Sequence, residues 1–146
     1  MLGSSRGYRL LEHVTDAFVE AWGKTLEEAF SQAGLALFDT MLDAKSVQKK
    51  TRIEIQTSGH DEKELLYNYL EELLLLLEIK QFAVGSITAT SITPAQTQFS
   101  LKARANGEPY EQKKHGGKVE VKGITYHLME IDRYPGKITV RFLLDL

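Results

Sequence analysis

Cysteine is absent from all 146 residues. That absence excludes a disulfide framework, a thiolate metal site and a thiol nucleophile, and it agrees with a reducing compartment, so the cytoplasm is the expected location. An excess of positive charge is missing too: 18 Lys and Arg stand against 20 Asp and Glu, a formal net charge of −2. Nothing in the chain resembles the basic stripe that drives tight, salt-dependent nucleic-acid binding, so direct RNA binding is not expected as the main activity. Long apolar runs are also lacking. The longest, Leu73 to Leu77, is far short of a membrane span, and the opening MLGSSRG lacks the apolar core of a signal peptide. Walker loop, dinucleotide glycine fingerprint, zinc-binding histidine helix and serine elbow are all missing, which removes the common nucleotide-binding and hydrolytic signatures.

What is present suits one domain over residues 8–146, with 1–7 set aside from the fold; a chain of this length buries roughly two-thirds of its unfolded surface. Tyr8 to Trp22 reads as two strands joined near His13 to Asp16, with Phe18 and Trp22 on one face at period two. Thr25 followed by Glu28 has capping-box spacing, and Leu26, Ala29, Phe30, Ala33, Leu37 and Met41 form the apolar stripe of a helix starting at Leu26. Thr51, Ile53, Ile55 and Thr57 alternate as a strand with one wet face, followed by a turn at Ser58-Gly59-His60. Asp61 and Glu64 cap a second helix, whose last turn, Leu73 to Leu77, is apolar all round and therefore expected to be buried. Strands follow at Gln81 to Ile92 and Gln96 to Ala105 around a Thr93-Pro94-Ala95 loop. A polar loop from Asn106 to Lys118 leads to strands at Val119 to Ile131 and Lys137 to Leu144, joined by a Pro135-Gly136 turn. The expected class is α+β: a mainly antiparallel β-sheet packed against two α-helices in a single domain.

The chemistry-bearing residues sit at predicted strand ends: His13 and Asp16 early, His115 in the polar loop, Lys122 and His127 in "EVKGITYHLMEI", and Asp145 beside the last residue, Leu146. Asp16, the Asp145 carboxylate and the Leu146 oxygens would together suit a hard divalent cation such as calcium or magnesium, whereas zinc would favour the histidines. The plainer reading is that both carboxylates are simply solvated. Likewise, a strand lysine such as Lys122 commonly lies outward on its stem, His127 suits a hydrogen-bonded structural role, and Gly123 suits a bulge.

Taken together, "EHVTDAFVEAWGKTLEEAF", "HDEKELLYNYLEELLLL", "GE" at 107 to 108, "KH" at 114 to 115, "EVKGITYHL" and the final "LLDL" make the chain resemble the archease family from about Tyr8 to the last residue. Two departures stand out: the usual "HTAD" is "HVTD" here, and "VKAVTYH" is "VKGITYH". Asp16, Lys122 and His127 survive both. The resemblance implies an accessory factor of RtcB-type RNA ligases, which seal tRNA halves during splicing, with no ligase activity of its own. The factor promotes guanylylation of the ligase from GTP, so that the ligase turns over repeatedly. The resemblance also implies metal-associated carboxylates at Asp16 and Asp145, with an oxygen from Leu146. Calcium is the first expectation for the ion, and magnesium or manganese are the alternatives. Lys122 matches the motif lysine, Asp43 takes the place of the "MTD" acid, and His115 and His127 match motif histidines without an assigned role. Two other readings compete: a stand-alone metal-dependent enzyme, and a chaperone or specificity factor for tRNA-modifying enzymes.

Overall fold

The computed structural model describes residues 5–11 and 16–146, so the His13 end of the first predicted turn lies outside the described residues. Among the described residues, seven strands form two antiparallel sheets with the principal helices packed between them. One sheet has the order β1-β2-β7-β6, from β1 (Gly7–Leu11), β2 (Ala17–Gly23), β6 (Gly123–Tyr134) and β7 (Lys137–Asp145). The other has the order β3-β5-β4, from β3 (Thr51–Gly59), β4 (Phe82–Pro94) and β5 (Phe99–Pro109). The α+β class, the antiparallel pairing and the two main helices are as the sequence predicts; the strands divide between two sheets.

Helix α1 (Leu26–Met41) starts where the capping box places it. The Glu28 amide donates to Thr25 Oγ1 at 3.1 Å, and the Glu28 carboxylate accepts from the Lys24 amide at 2.7 Å. Ten of its 16 residues are buried, more than one stripe can hold, because α1 packs against β2 on one side and β4 on the other. Ser31 illustrates this: its hydroxyl donates to the Glu27 carbonyl and accepts from the Ala89 amide, at an irregularity in the β4 ladder. Helix α2 (Glu62–Glu78) is capped by Asp61, whose carboxylate accepts from the Glu64 amide at 2.8 Å, and it packs against β3 and β6. Within its leucine run Leu73, Leu74 and Leu76 are buried, but Leu75 is 37 % exposed.

Four expectations need correction. Ser58 and Gly59 belong to β3, because they pair with Ser100 and Phe99. The β4–β5 loop lies at residues 95–98 rather than 93–95, closed by the Ala95 amide on the Gln98 carbonyl. Residues 106–118 are not one loop: β5 continues to Pro109, and a one-turn helix, α3 (Gln112–His115), follows. Finally, β6 starts at Gly123 rather than Val119 and runs on to Tyr134, which faces Lys137 across a two-residue turn. Gly136 has φ +73° there, after a proline, the pattern of a type II turn.

Candidate functional site

The register of the four-stranded sheet brings the two ends of the chain together. Ala17 pairs with Leu144 on β7, so one further step sets Asp16 beside Asp145 on neighbouring strands. On the other side of β7, Gly123 pairs with Asp145, and the Lys122 amide donates to the Asp145 carbonyl at 2.7 Å. Asp16, Asp145, Leu146 and Lys122 therefore meet at one end of this sheet. Asp145 and Lys122 are exposed, whereas Leu146 packs in part against the core. A Cβ placed on Gly123 would meet nothing of this chain within 4 Å.

Next to this rim lies a largely apolar cleft of about 540 Å³, lined by Tyr8, Asp16, Phe18, Asp39, Lys118 and Leu146 among others. Its polar wall is a constellation that the sequence did not single out. Asp39, on the last turns of α1, accepts from the Tyr8 hydroxyl at 3.2 Å and from Lys118 Nζ at 3.3 Å. Lys118 Nζ also donates to the Asp39 carbonyl, and its amide donates to the Met41 carbonyl. Burial and the neighbouring Asp39 carboxylate push the Tyr8 phenol up to about 12. Lys118 escaped notice because it sits in an irregular segment with no periodicity to mark it, and Asp39 because a polar residue on a helix ordinarily signals only a wet face.

His115 and Asp43 belong to a second, separate group. His115 is 1 % exposed. Its Nδ1 accepts from the Glu111 amide at 2.9 Å, so the ring proton sits on Nε2, which donates to Glu108 Oε2 at 2.8 Å. The same buried carboxylate accepts from Lys114 Nζ and from the Gln48 amide, with Lys50 Nζ 3.6 Å away. Hydrogen bonds from Lys114, the Gln48 amide and His115 hold Glu108 down at about 2. The Asp43 amide donates to the His115 carbonyl at 2.9 Å. The "GE" and "KH" motifs are thus one latch, which fastens α3 onto β5 and onto the 3-10 turn Ala44–Ser46. It positions the segment that carries Lys118 to the cleft.

His127 stands apart from both groups. It is exposed, in an irregular stretch of β6 where the ladder jumps from Thr125 opposite Leu143 to Glu130 opposite Arg141. The bulge expected at Gly123 falls at residues 126–129, and His127, expected in a hydrogen-bonded structural role, is exposed and donates its amide to Thr125 Oγ1.

The archease protein family (MTH1598/TM1083) matches residues 8–146. The chain belongs to the archease family. A protein archease of Pyrococcus furiosus is 40 % identical over 130 residues, 89 % of this chain and 91 % of the relative. A protein archease of Methanosarcina mazei is 31 % identical over 146 residues, the whole of both chains. The solution structure of Methanobacterium thermoautotrophicum protein 1598 superimposes with a TM-score of 0.81 at 31 % identity, covering 96 % of this chain and 99 % of that one. A Thermotoga maritima archease, described as a possible chaperone, shares the fold at a TM-score of 0.59 and 18 % identity, covering 94 % and 96 %.

The latch and the rim thus lie at the two ends of one irregular segment, residues 116–122. Asp16 and Asp145 stand one step beyond the Ala17–Leu144 pair on adjacent strands, and Leu146 lines the cleft together with Asp16; carboxylate and main-chain oxygens are the kind of donors a hard cation such as calcium, magnesium or manganese would take. Among the described residues no three His, Cys, Asp or Glu side chains gather as a metal cage, so such an ion would depend on main-chain oxygen. Among the same residues, no helix is long and apolar enough to cross a membrane.

Proposed function

We propose that this archease activates an RtcB-type RNA ligase, promoting its GTP-dependent guanylylation and repeated turnover, and that the Asp16–Asp145 rim is the part that acts. The observation that carries this reading is the strand register that sets Asp16 beside Asp145, next to Leu146 and the Lys122 amide. The class of partner is the one the archease resemblance implies.

An activator must favour one state of its partner over another, because equal affinity for both shifts nothing. A rim with two carboxylates and a neighbouring lysine suits that task. Asp16, Asp145 and the Leu146 oxygen would hold a divalent cation, calcium in the first instance, and a bound cation supplies positive charge toward phosphate oxygens. Lys122, exposed and tethered through its amide to Asp145, adds a second cation that can reach outward to an anionic group. The latch of Glu108 and His115 keeps the segment that follows it, and hence Lys118, in place against Asp39.

The test uses a cognate RtcB-type ligase, radiolabelled GTP and a divalent metal, with this protein added in substoichiometric amounts. Ligase labelling and multiple-turnover sealing should both rise with wild type and return to the unstimulated level with Asp16→Ala or Asp145→Ala. Unchanged rates with wild type across the metal series would refute the activator reading for that ligase. A competing chaperone role would instead show as higher yield of folded ligase with no change in the rate per active molecule.

A further inference from the structure

Residues 126–129 of β6 all stand opposite the single residue Phe142, so Tyr126, His127 and Leu128 are pushed out of the sheet. Tyr126 is 49 % exposed and Leu128 43 %. Leu128 has φ +61°, a region that L side chains other than Asn and Asp rarely adopt, and its isobutyl group nevertheless faces outward. β6 is the edge strand of its sheet, so nothing in the sheet requires an apolar knob there.

The knob has a base on α2. The Tyr126 ring stacks on Tyr67 with centroids 4.5 Å apart and planes 5° from parallel. Beyond Tyr67, at helical spacing, come Glu71, the part-exposed Leu75 and then Ile79, which is 72 % exposed. From Glu64 to Ile79 the chain has no Lys or Arg, while Glu64, Glu71, Glu72 and Glu78 supply negative charge. The Tyr126 phenol is raised by burial and then by the fields of Glu64, Tyr67, Asp61 and Glu71. Two basic groups also reach this area: Arg133 is paired with Glu62, and His60 with Glu64. Glu71 and Glu72 have no such cation among the ion pairs of the described residues.

An aromatic stack with a half-exposed outer ring, next to exposed Leu128 and to the Glu71, Glu72 and Glu78 positions of α2, complements a guanidinium or ammonium group with an apolar neighbour. We infer that the β6 knob and the acidic face of α2 form the docking surface for a basic, apolar-anchored segment of the ligase. This rests on the function proposed above. The position agrees: Gly123 faces Asp145 and the knob begins three residues later, so docking occurs roughly 10 Å along β6 from the rim.

Calorimetric titration of the cognate RtcB-type ligase with full-length protein tests this. Tyr126→Ala, Leu128→Gly and Glu71→Lys should each raise Kd by about tenfold or more, with unchanged circular dichroism and melting; glycine suits the positive φ at 128. Added salt should weaken wild type more than Glu71→Lys. Asp145→Ala should lose stimulation while still binding more tightly than the three surface variants, which separates docking from activation. Wild-type affinity in all three surface variants would overturn the docking face and leave the activator reading standing. Absence of binding by wild type would overturn both. If the same substitutions instead abolish a concentration-dependent dimer and leave ligase binding intact, the face belongs to a second copy and the inference fails.

Discussion

Tyr69 is wholly enclosed in the core, stacked near Phe30, and its hydroxyl is the buried side-chain oxygen without a hydrogen-bond partner among the described residues. Leaving such a donor unpaired costs about 1 kcal/mol or more, so Tyr69→Phe should stabilise the protein by about 1 kcal/mol and raise the melting temperature by about 3 °C in calorimetry. Glu108 gives the opposite case, a buried carboxylate with every partner supplied. Its folded pKa of about 2 lies below the ordinary glutamate value of 4.5, so the unfolded chain binds the extra proton first. The latch therefore contributes fully above pH 4.5 and is lost as pH falls toward 2. Melting temperature should drop across that window in wild type and drop less steeply in Glu108→Gln. Glu20 contributes to any residual slope: burial opposes its charge, but hydrogen bonds from Arg141 and Arg9 outweigh this and hold its pKa down.

Helix starts, turns and strand alternation are set by neighbours in sequence, which is why Thr25, Asp61 and Pro135-Gly136 could be placed from the residues alone. Thr25→Ala should cost about 1 kcal/mol in a denaturant titration, through loss of the cap on the Glu28 amide. The C-terminal half of β5 was not legible in the same way. Gly107 and Pro109 look like loop residues, yet Gly107 is in the strand because a side chain there would run into the Ala83 carbonyl of β4. Gly107→Ala should destabilise by about 3 kcal/mol, since a backbone atom cannot yield as a side chain can. The knob in β6 was equally hidden: nothing in Thr125 to Glu130 announces four residues facing one, because a bulge is a relation between two strands.

For the whole molecule, antiparallel pairing of β2 and β6 to either side of β7 gathers Asp16, Lys122, Asp145 and Leu146. Like charges directly opposite across a sheet are destabilising, so a cation between Asp16 and Asp145 should stabilise the fold. Millimolar calcium should raise the wild-type melting temperature, and Asp145→Asn should largely remove that rise; equal shifts in both proteins would place the ion elsewhere. The family resemblance pointed to Asp16, Asp145, Leu146 and Lys122, whereas spacing alone left a cation site and ordinary solvated acids both open. Asp43 and His115 belong to the latch, through the Asp43 amide on the His115 carbonyl and the His115 ring on Glu108, and His127 lies in the knob of β6. Residue order by itself determined the helices and their caps, the α+β class and family membership, because capping, periodicity and motif order are local properties of the chain. Tertiary structure alone decided the two-sheet division, the Asp39–Lys118 wall, the tautomer of His115 and the outward turn of Tyr126. Each of these depends on which distant backbone a residue is paired with, and pairing is settled by burial and register across the whole fold.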